Sequence, residues 1–280
     1  MLNESSNACP GARWRRMVEE EHAQSDSVRG PDRAPSDSWH PFAERFRPVA
    51  QDTEDPLTQR LLREIEPRHT VMDVGAGGGR LALPISMRCK QVVAVEPSAS
   101  MGSILEEEAK SMGRENVVLV TSTWEEAEVE PADVVLCVQV LYTVKDIVPF
   151  ISKLGAHARE KVMVVLYENP PHTQANPLWP RVHGQARLKL PSLKELVQLL
   201  WDMGIYPDVE MQAPQEARGF ESLERALEQL RPRLFVEPGS DGERRLEEVL
   251  KEMLDEVDGR FRIRGGPIYR PTLVSWSPGM

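Results

Sequence analysis

The residues best able to bind a ligand are an acid and a run of glycines that follow one apolar stretch. Thr70–Val74 reads as a buried β-strand with Asp73 near its end, and four of the next five residues are glycine. Glycine lets the backbone turn tightly and lets a ligand approach without a Cβ in the way. The segment therefore predicts a loop that wraps a ligand at the carboxyl end of a strand.

A second acid, Glu96, lies 23 positions after Asp73 and ends the next apolar run, Gln91–Val95. A carboxylate at this point of a doubly wound sheet can accept both hydroxyl protons of a ribose. Without such an acid, a glycine-rich loop is often only a turn. The loop and Glu96 together predict a ligand that carries a nucleoside.

The glycine spacing separates two classes of nucleoside ligand. A dinucleotide fingerprint that starts at Gly75 needs a third glycine at position 80, where this chain has Arg80. The fixed positions of the form D-x-G-x-G-x-G are all filled, by Asp73, Gly75, Gly77 and Gly79. In these residues, in Glu96 and in its strand order, the sequence resembles the class I S-adenosylmethionine-dependent methyltransferases. The resemblance covers about residues 39 to 203 and the final strand.

The resemblance implies that S-adenosylmethionine is the cofactor and gives a role to each matching position. Asp73 would orient the ammonium of the methionine moiety, and Glu96 would hold the ribose. The remaining cofactor-binding positions lie in the glycine loop or after the second, third and fourth strands, namely Gly75, Ala76, Gly77, Gly79, Pro97, Met101, Thr123, Trp124 and Val138. For Pro97 and Met101, packing in the core is an equally open interpretation.

Two residues are candidates for catalysis at the acceptor. Methyl transfer from a sulfonium is an in-line displacement, so the protein must mainly align the reactants and exclude water. A base helps when the acceptor is a hydroxyl or a protonated amine. Tyr142 follows the fourth strand where the resemblance places the transferred methyl, and His183 lies in a Trp-rich segment expected beside the crevice. A loop histidine is more often solvated or structural, and that alternative stays open.

The elements that must position these residues alternate between strand and helix. The strand-like runs are Thr70–Val74, Gln91–Val95, Val117–Val120, Asp133–Val138, Val162–Tyr167 and Pro267–Ser277. With right-handed crossovers, this alternation predicts an α/β fold with a Rossmann-like, doubly wound, seven-stranded and mostly parallel sheet. Two further helices, Phe220–Leu230 and Arg244–Val257, fall in an insertion at about residues 215–260. They predict either a helical cap over the acceptor or a dimer surface.

The chain is predicted to divide into two parts. Residues 1–38 are rich in Ser, Pro, Gly and mixed charges, and they predict a flexible N-terminal arm with one short helix at Ala12–Ala23. Residues 39–280 form the methyltransferase domain. The segment from Trp39 to Arg47 is a candidate lid whose arginines would meet the cofactor carboxylate, or else its aromatic residues bury against the sheet.

Composition narrows the class of partner. Hydrophobic residues make up 40% of the 280 and charged ones 28%, as in globular proteins, and the net charge of −10 disfavours a nucleic-acid substrate. Three cysteines without CxxC spacing argue against a disulfide framework or a metal site and favour the cytoplasm. The longest apolar stretch is too short to span a membrane. We therefore expect a small-molecule acceptor, no nucleic-acid or membrane partner, and a possible homodimer.

Two other functions remain open at this point. A non-catalytic scaffold that binds S-adenosylmethionine would keep the cofactor loop without acceptor chemistry. A protein methyltransferase is a further alternative, because an acidic face can receive a basic partner.

Overall fold

The computed structural model describes residues 10–29, 37, 40–48 and 54–279. Its strands are β1 Thr70–Val74, β2 Gln91–Val95, β3 Val117–Val120, β4 Ala132–Val138, β5 Ala158–Tyr167, β6 Asp208–Met211, β7 Gln215–Glu216, β8 Leu254–Val257, β9 Arg260–Ile263, β10 Ile268–Tyr269 and β11 Pro271–Trp276. The α-helices are α1 Pro10–Arg29, α2 Pro56–Leu62, α3 Ala82–Ser86, α4 Ala99–Ser111, α5 Ile147–His157, α6 Trp179–His183, α7 Leu193–Asp202, α8 Leu223–Arg233 and α9 Asp241–Met253. Short 3-10 helices span His40–Phe46, Leu141–Thr143 and Pro171–Ala175.

Seven strands form one central sheet in the order β3-β2-β1-β4-β5-β11-β6. The first five are parallel, and β11 runs antiparallel to both of its neighbours. This confirms the predicted Rossmann-like, mostly parallel sheet. After β3 the chain crosses back to the other side of β1, so a crevice is expected at the carboxyl ends of β1 and β4.

Apolar side chains cover both faces of this sheet. One cluster joins the strands to α1, α5 and α7, and includes Trp14, Val135, Ile151 and Leu199. The other joins them to α2 and α3, and includes Leu61, Val71, Ile85 and Val165. Strands buried on both faces explain the near-continuous apolar runs in the sequence.

The insertion between β6 and β11 has its own apolar core. Side chains of α8 and α9 pack there with α6 and the β8–β9 hairpin, around residues such as Trp179, Phe220 and Leu246. The second predicted helix was too long, since α9 ends at Met253. The Asp-Gly pair at 258 and 259 has positive φ angles of 51° and 72°, which suits a tight hairpin turn and directs the preceding residues into β8.

The prediction of a flexible arm over residues 1–38 was wrong for α1. This helix runs for 20 residues, and its Trp14 and Val18 are fully buried against α5 and α7. The indole Nε1 of Trp14 donates a hydrogen bond of 2.8 Å to the carbonyl of Val144. The helix is therefore a packed part of the fold. Among the described residues, no helix has the length and apolar character needed to cross a membrane.

Candidate functional site

The glycine loop after β1 packs on one side and faces open space on the other. Gly75, Gly77 and Gly79 have φ angles of 76°, 56° and 93°, a region that side chains disfavour. A Cβ at Gly75 would collide with Val140, whereas a Cβ at Gly77 would meet nothing within 4 Å. The backbone N–H of Gly75 donates to the Val95 carbonyl at 2.8 Å, which fixes the loop to β2. The open side at Gly77 is where a ligand can approach the backbone.

Glu96 lies directly against this loop. Its Oε2 accepts a 2.8 Å hydrogen bond from the Gly77 backbone, and its Oε1 accepts one of 2.9 Å from Ser98. The side chain is only 5% exposed, and this burial raises its pKa although both backbone donors lower it. Each carboxylate oxygen still has acceptor capacity beyond its one backbone donor. Glu96 and the glycine loop are therefore in direct contact at the carboxyl ends of β1 and β2.

Asp73 is a buried carboxylate near the end of β1. It is 2% exposed, and none of the described residues donates a hydrogen bond to it. Burial raises its pKa to about 7, Glu96 adds to the rise, and the positive charge of Arg80 opposes it. A desolvated, uncompensated carboxylate favours a cationic ligand group.

The N-terminal segment covers the start of α4. The carboxylate of Asp37 accepts hydrogen bonds from the hydroxyls of Ser98 and Ser100, the latter at 2.7 Å. Met101, one of the predicted cofactor contacts, is 4% exposed and packs with Ala43 and Ile104. The structure thus places Met101 in a small apolar cluster.

The predicted lid is fastened to α4 through Arg47. Its guanidinium makes ion pairs with Glu44 and with Glu107 and Glu108 of α4, at 2.5 to 3.1 Å. The carbonyl oxygen of Phe46 lies 2.7 Å from where a Cβ of Gly78 would be, so this segment rests on the glycine loop. Because Arg47 already has three carboxylate partners, it is a poor candidate for the cofactor carboxylate. Trp39 lies outside the described residues.

After β3, Trp124 turns into the core and Thr123 stays exposed. The indole Nε1 of Trp124 donates to the Phe150 carbonyl at 3.3 Å, and Lys153 Nζ lies 4.8 Å from the ring centre. The same ammonium donates to the Trp124 carbonyl at 2.7 Å. The side chain of Trp124 therefore supports this loop from the core, and contact of the cofactor with Thr123 or the Trp124 backbone stays a prediction.

The side chain of Tyr142 is almost completely buried. It is 4% exposed, and its hydroxyl accepts a 2.7 Å hydrogen bond from the backbone N–H of Tyr167. Burial raises the pKa of this phenol well above its usual range. Since its hydroxyl oxygen accepts from the end of β5, the structure gives Tyr142 a positioning role, and its predicted catalytic role stays a prediction.

His183 ends α6, a short helix after β5 that packs against the insertion. Its Nε2 is 2.8 Å from the carbonyl oxygen of Leu234, and its ring centre is 4.3 Å from that of Trp179. Burial lowers its pKa. These contacts fix α6 to the end of α8 and give His183 a structural role, while its catalytic role stays a prediction.

The carboxyl ends of β4 and β5 carry two polar residues that the sequence analysis did not single out. Gln139, directly after Val138, has a φ angle of 62°, which is unusual for a residue with a Cβ. Its backbone N–H donates a 2.9 Å hydrogen bond to the carbonyl of Val165, two residues before Tyr167 at the end of β5. Their positions at strand ends beside the crevice are the signal that was available in the sequence.

Residues 43–207 match the family model described as a methyltransferase domain. A ubiquinone biosynthesis O-methyltransferase from Rickettsia conorii is 30% identical over 130 residues, which are 42% of this chain and 44% of that protein. One from Rickettsia akari is 33% identical over 100 residues, or 34% of this chain and 38% of that protein. The chain thus matches less than half the length of these curated relatives.

Solved structures share the fold at low identity. YcgJ from Bacillus subtilis has a TM-score of 0.53 and 16% identity, covering 79% of this chain and 97% of that one. A protein from Bacillus halodurans C-125 has a TM-score of 0.56 and 12% identity, covering 81% and 100%. Magnesium protoporphyrin IX methyltransferase from Synechocystis PCC 6803, solved with bound SAH, has a TM-score of 0.50 and 16% identity, covering 75% and 94%.

Proposed function

The chain belongs to the methyltransferase domain family, and from this premise we propose that it transfers a methyl group from S-adenosylmethionine to a small-molecule acceptor. The observation that carries the proposal is the 2.8 Å hydrogen bond from Gly77 to Glu96. It brings the glycine loop and Glu96 together at the carboxyl ends of β1 and β2, where we propose a hollow that holds the adenosyl group.

The residues around this hollow fit the cofactor. Open space at Gly77 admits a ligand to the backbone, and the carboxylate of Glu96 has lone pairs left for the ribose hydroxyls. Asp73 is buried and receives no hydrogen bond from the described residues, so it suits the ammonium of the methionine moiety. We assign Gly75, Ala76, Gly79 and Val138 to the methionine side, and the exposed Pro97 and Thr123 to the adenine side.

The chain contributes mainly alignment to the reaction. When bound, S-adenosylmethionine supplies a methyl group on a cationic sulfur. A lone pair of the acceptor attacks this methyl group in line, and the electrons of the broken C–S bond return to sulfur. The loop and Glu96 fix the donor side, while Tyr142 holds the end of β5 through the Tyr167 backbone. Because the leaving group is neutral, a base on the chain is optional.

Four features support the remaining parts of the proposal. The relatives named as ubiquinone biosynthesis enzymes support an O-methylated small molecule, and the net charge of −10 supports an acceptor other than nucleic acid. The described cysteines, Cys89 and Cys137, are free thiols, in keeping with the cytoplasm. The exposed apolar side chains of the edge strand β6, Val209 and Met211, support a homodimer.

Calorimetry with S-adenosylhomocysteine and with NAD tests the cofactor assignment. We expect S-adenosylhomocysteine to bind and NAD not to bind, and the reverse result would overturn the proposal. The enzymatic part is tested by incubating the protein with a small-molecule extract and S-adenosylmethionine labelled in its methyl group. Label in an extracted compound supports an enzyme, whereas tight cofactor binding without any transfer favours the non-catalytic scaffold.

A further inference from the structure

A cavity of about 290 Å³ lies between α4 and the edge strand β3. Its apolar lining consists of Leu105 and Ala109 of α4 and of Val117 and Leu119 of β3. The two β3 side chains pack on the face of the sheet that α2 and α3 cover, yet both remain partly exposed. The volume is near the lower end of the range for small-ligand sites, about 300 to 1,000 Å³. The cavity therefore offers apolar surface to a small molecule.

The end of α4 places an arginine at this cavity. The backbone N–H of Arg114 donates to the Ala109 carbonyl at 2.8 Å. That of Gly113, which has a φ angle of 62°, donates to the Lys110 carbonyl at 3.0 Å. These two bonds form a Schellman motif, in which the residue at the place of Arg114 often makes an apolar contact back to the helix. Here that position instead brings a guanidinium to an apolar surface.

The guanidinium of Arg114 lacks an acceptor. Within residues 10–29, 37, 40–48 and 54–279, its buried Nε has no hydrogen-bond partner and its side chain makes no ion pair. The ammonium of Lys110, which also lines the cavity, is unpaired within the same ranges. Arg60, half-buried like Arg114, pairs with two carboxylates. Because a buried donor without an acceptor costs free energy, an anion in the cavity would be stabilised by Arg114.

The acids at the rim limit the charge of such an anion. Glu106 and Glu115 line the cavity and are exposed, so two carboxylates face the two cations. They would repel a ligand that carries several negative charges. A single carboxylate, in contrast, matches the planar fork of the Arg114 guanidinium. The rim therefore favours a monoanion.

We propose that this cavity binds an apolar monocarboxylate, with the carboxylate on Arg114 and Lys110 and the apolar body on the α4 and β3 side chains. The site is separate from the one proposed for the cofactor. The helix α4 begins just after Ser98, which donates to Glu96, and its 13 residues extend about 20 Å before the cavity is reached. The inference therefore does not rest on the proposed function.

The experiment titrates octanoate and its uncharged amide, octanamide, into the full chain with labelled leucine and valine methyl groups. NMR shifts of the Leu105, Val117 and Leu119 methyls report on the cavity, and those of the Val138 and Val140 methyls report on the crevice. The dissociation constants of both compounds come from the saturation of these shifts.

The variants separate the charged part of the site from the apolar part. Arg114→Gln and Lys110→Gln remove one cation each, and the exposed Arg218→Gln and Lys145→Gln are their matched controls. Val117→Thr removes apolar surface from the cavity. Its control is Val118→Thr, because Val118 is the next residue of β3, points to the other face of the sheet and is 42% exposed.

We expect octanoate to shift the cavity methyls and to bind about tenfold or more tightly than octanamide, as for hydrogen bonds to a charged group. Arg114→Gln should abolish this preference and Lys110→Gln should reduce it. Val117→Thr should weaken both compounds by about threefold, because apolar contact is lost. The control variants should behave as the wild type.

The inference is wrong if octanoate gives no saturable shift at the cavity methyls, or if its shifts are confined to the crevice methyls. It is also wrong if the preference for octanoate survives in Arg114→Gln. Should Arg114→Gln not fold, Lys110→Gln decides, and an undiminished preference in that variant overturns the inference. None of these results depends on S-adenosylmethionine, so failure of the proposed function is detected separately by its own calorimetry.

Discussion

The backbone N–H of Gly77 donates a 2.8 Å hydrogen bond to Oε2 of Glu96, so one carboxylate joins the loop after β1 to the end of β2. The other oxygen, Oε1, takes the N–H of Ser98 at the start of α4. Glu96 therefore holds three elements together and still has lone pairs for a ligand. Its proposed roles in loop geometry and in ribose binding are coupled, since both depend on the same two oxygens.

Glu96→Ala is expected to weaken the binding of S-adenosylhomocysteine by about 10 to 100 fold, because hydrogen bonds to a charged group are worth about 1.5–3 kcal/mol. Calorimetry measures the change, with the exposed Glu126→Ala as the control. Affinity unchanged by Glu96→Ala would contradict the ribose assignment.

Asp73 should make both stability and cofactor affinity depend on pH. Burial raises its pKa from 3.8 to about 7, so the folded protein binds a proton more readily than the unfolded chain between these values. Ionised Asp73 therefore costs stability as pH rises, and the full cost is present above about pH 7. Asp73→Asn should melt at a higher temperature than the wild type at pH 8, with the difference shrinking towards pH 4.

The same variant should bind S-adenosylhomocysteine more weakly at pH 8, because an amide cannot attract the ammonium as a carboxylate does. Wild-type affinity should rise from pH 6 to pH 8 as Asp73 ionises. Thermal melts and calorimetry at the two pH values check these effects against the exposed Asp208→Asn. Equal melting shifts for both variants at every pH would show that Asp73 is not the titrating group.

The glycine loop and Glu96 could be placed from the sequence because both lie at strand ends, and parallel strands bring their carboxyl ends to one edge. The burial of α1 could not be predicted in the same way. Its packed face has Trp14 and Val18 as its fully buried apolar residues, and it continues through polar groups such as Glu21. These are buried because Arg187, 166 residues away, pairs with Glu21. Hydrophobic periodicity does not register such a contact.

Similar reasons explain why the contacts of the two catalytic candidates could not be predicted from the sequence. Tyr142 directly follows the fourth strand, as a residue near the crevice should, but the position alone does not reveal that the Tyr167 backbone meets its hydroxyl. His183 packs on Leu234, which belongs to an insertion whose arrangement the sequence left open between a cap and a dimer surface.

Trp14→Ala should destabilise the protein by about 3–5 kcal/mol, as for large aromatic residues removed from a core. The change also leaves the Val144 carbonyl without its indole donor. Trp201→Ala is the matched control, because Trp201 is 58% exposed and its loss should cost under about 0.5 kcal/mol. Urea unfolding followed by circular dichroism measures both. Equal costs for the two variants would argue that α1 is not docked in solution.

The ion pair of Glu21 and Arg187 predicts that the two residues, although distant in the sequence, are strongly coupled in the free energy of unfolding. Their side chains are 8% and 10% exposed, and Arg187 also lies over the Trp179 ring at 4.0 Å. Removing one partner leaves a buried charge uncompensated, which costs about 3–5 kcal/mol, whereas removing both costs less. Glu21→Gln and Arg187→Met should therefore each destabilise more than the double variant does. A double-mutant cycle by urea unfolding measures this, and strictly additive costs would contradict the coupling.

The Tyr142→Phe variant tests whether Tyr142 positions the end of β5 or acts as a base. Loss of the Tyr142 hydroxyl leaves the Tyr167 N–H without its acceptor, which costs about 1–3 kcal/mol of stability. Burial raises the pKa of Tyr142 well above neutrality, so a role as proton acceptor is not expected. We therefore expect the variant to bind S-adenosylhomocysteine normally and to keep measurable methyl transfer, with the pH profile unchanged in shape. Tyr206→Phe, at a residue 73% exposed, controls for the substitution itself. Complete loss of transfer in a folded, cofactor-binding Tyr142→Phe protein would instead restore Tyr142 as a catalytic residue.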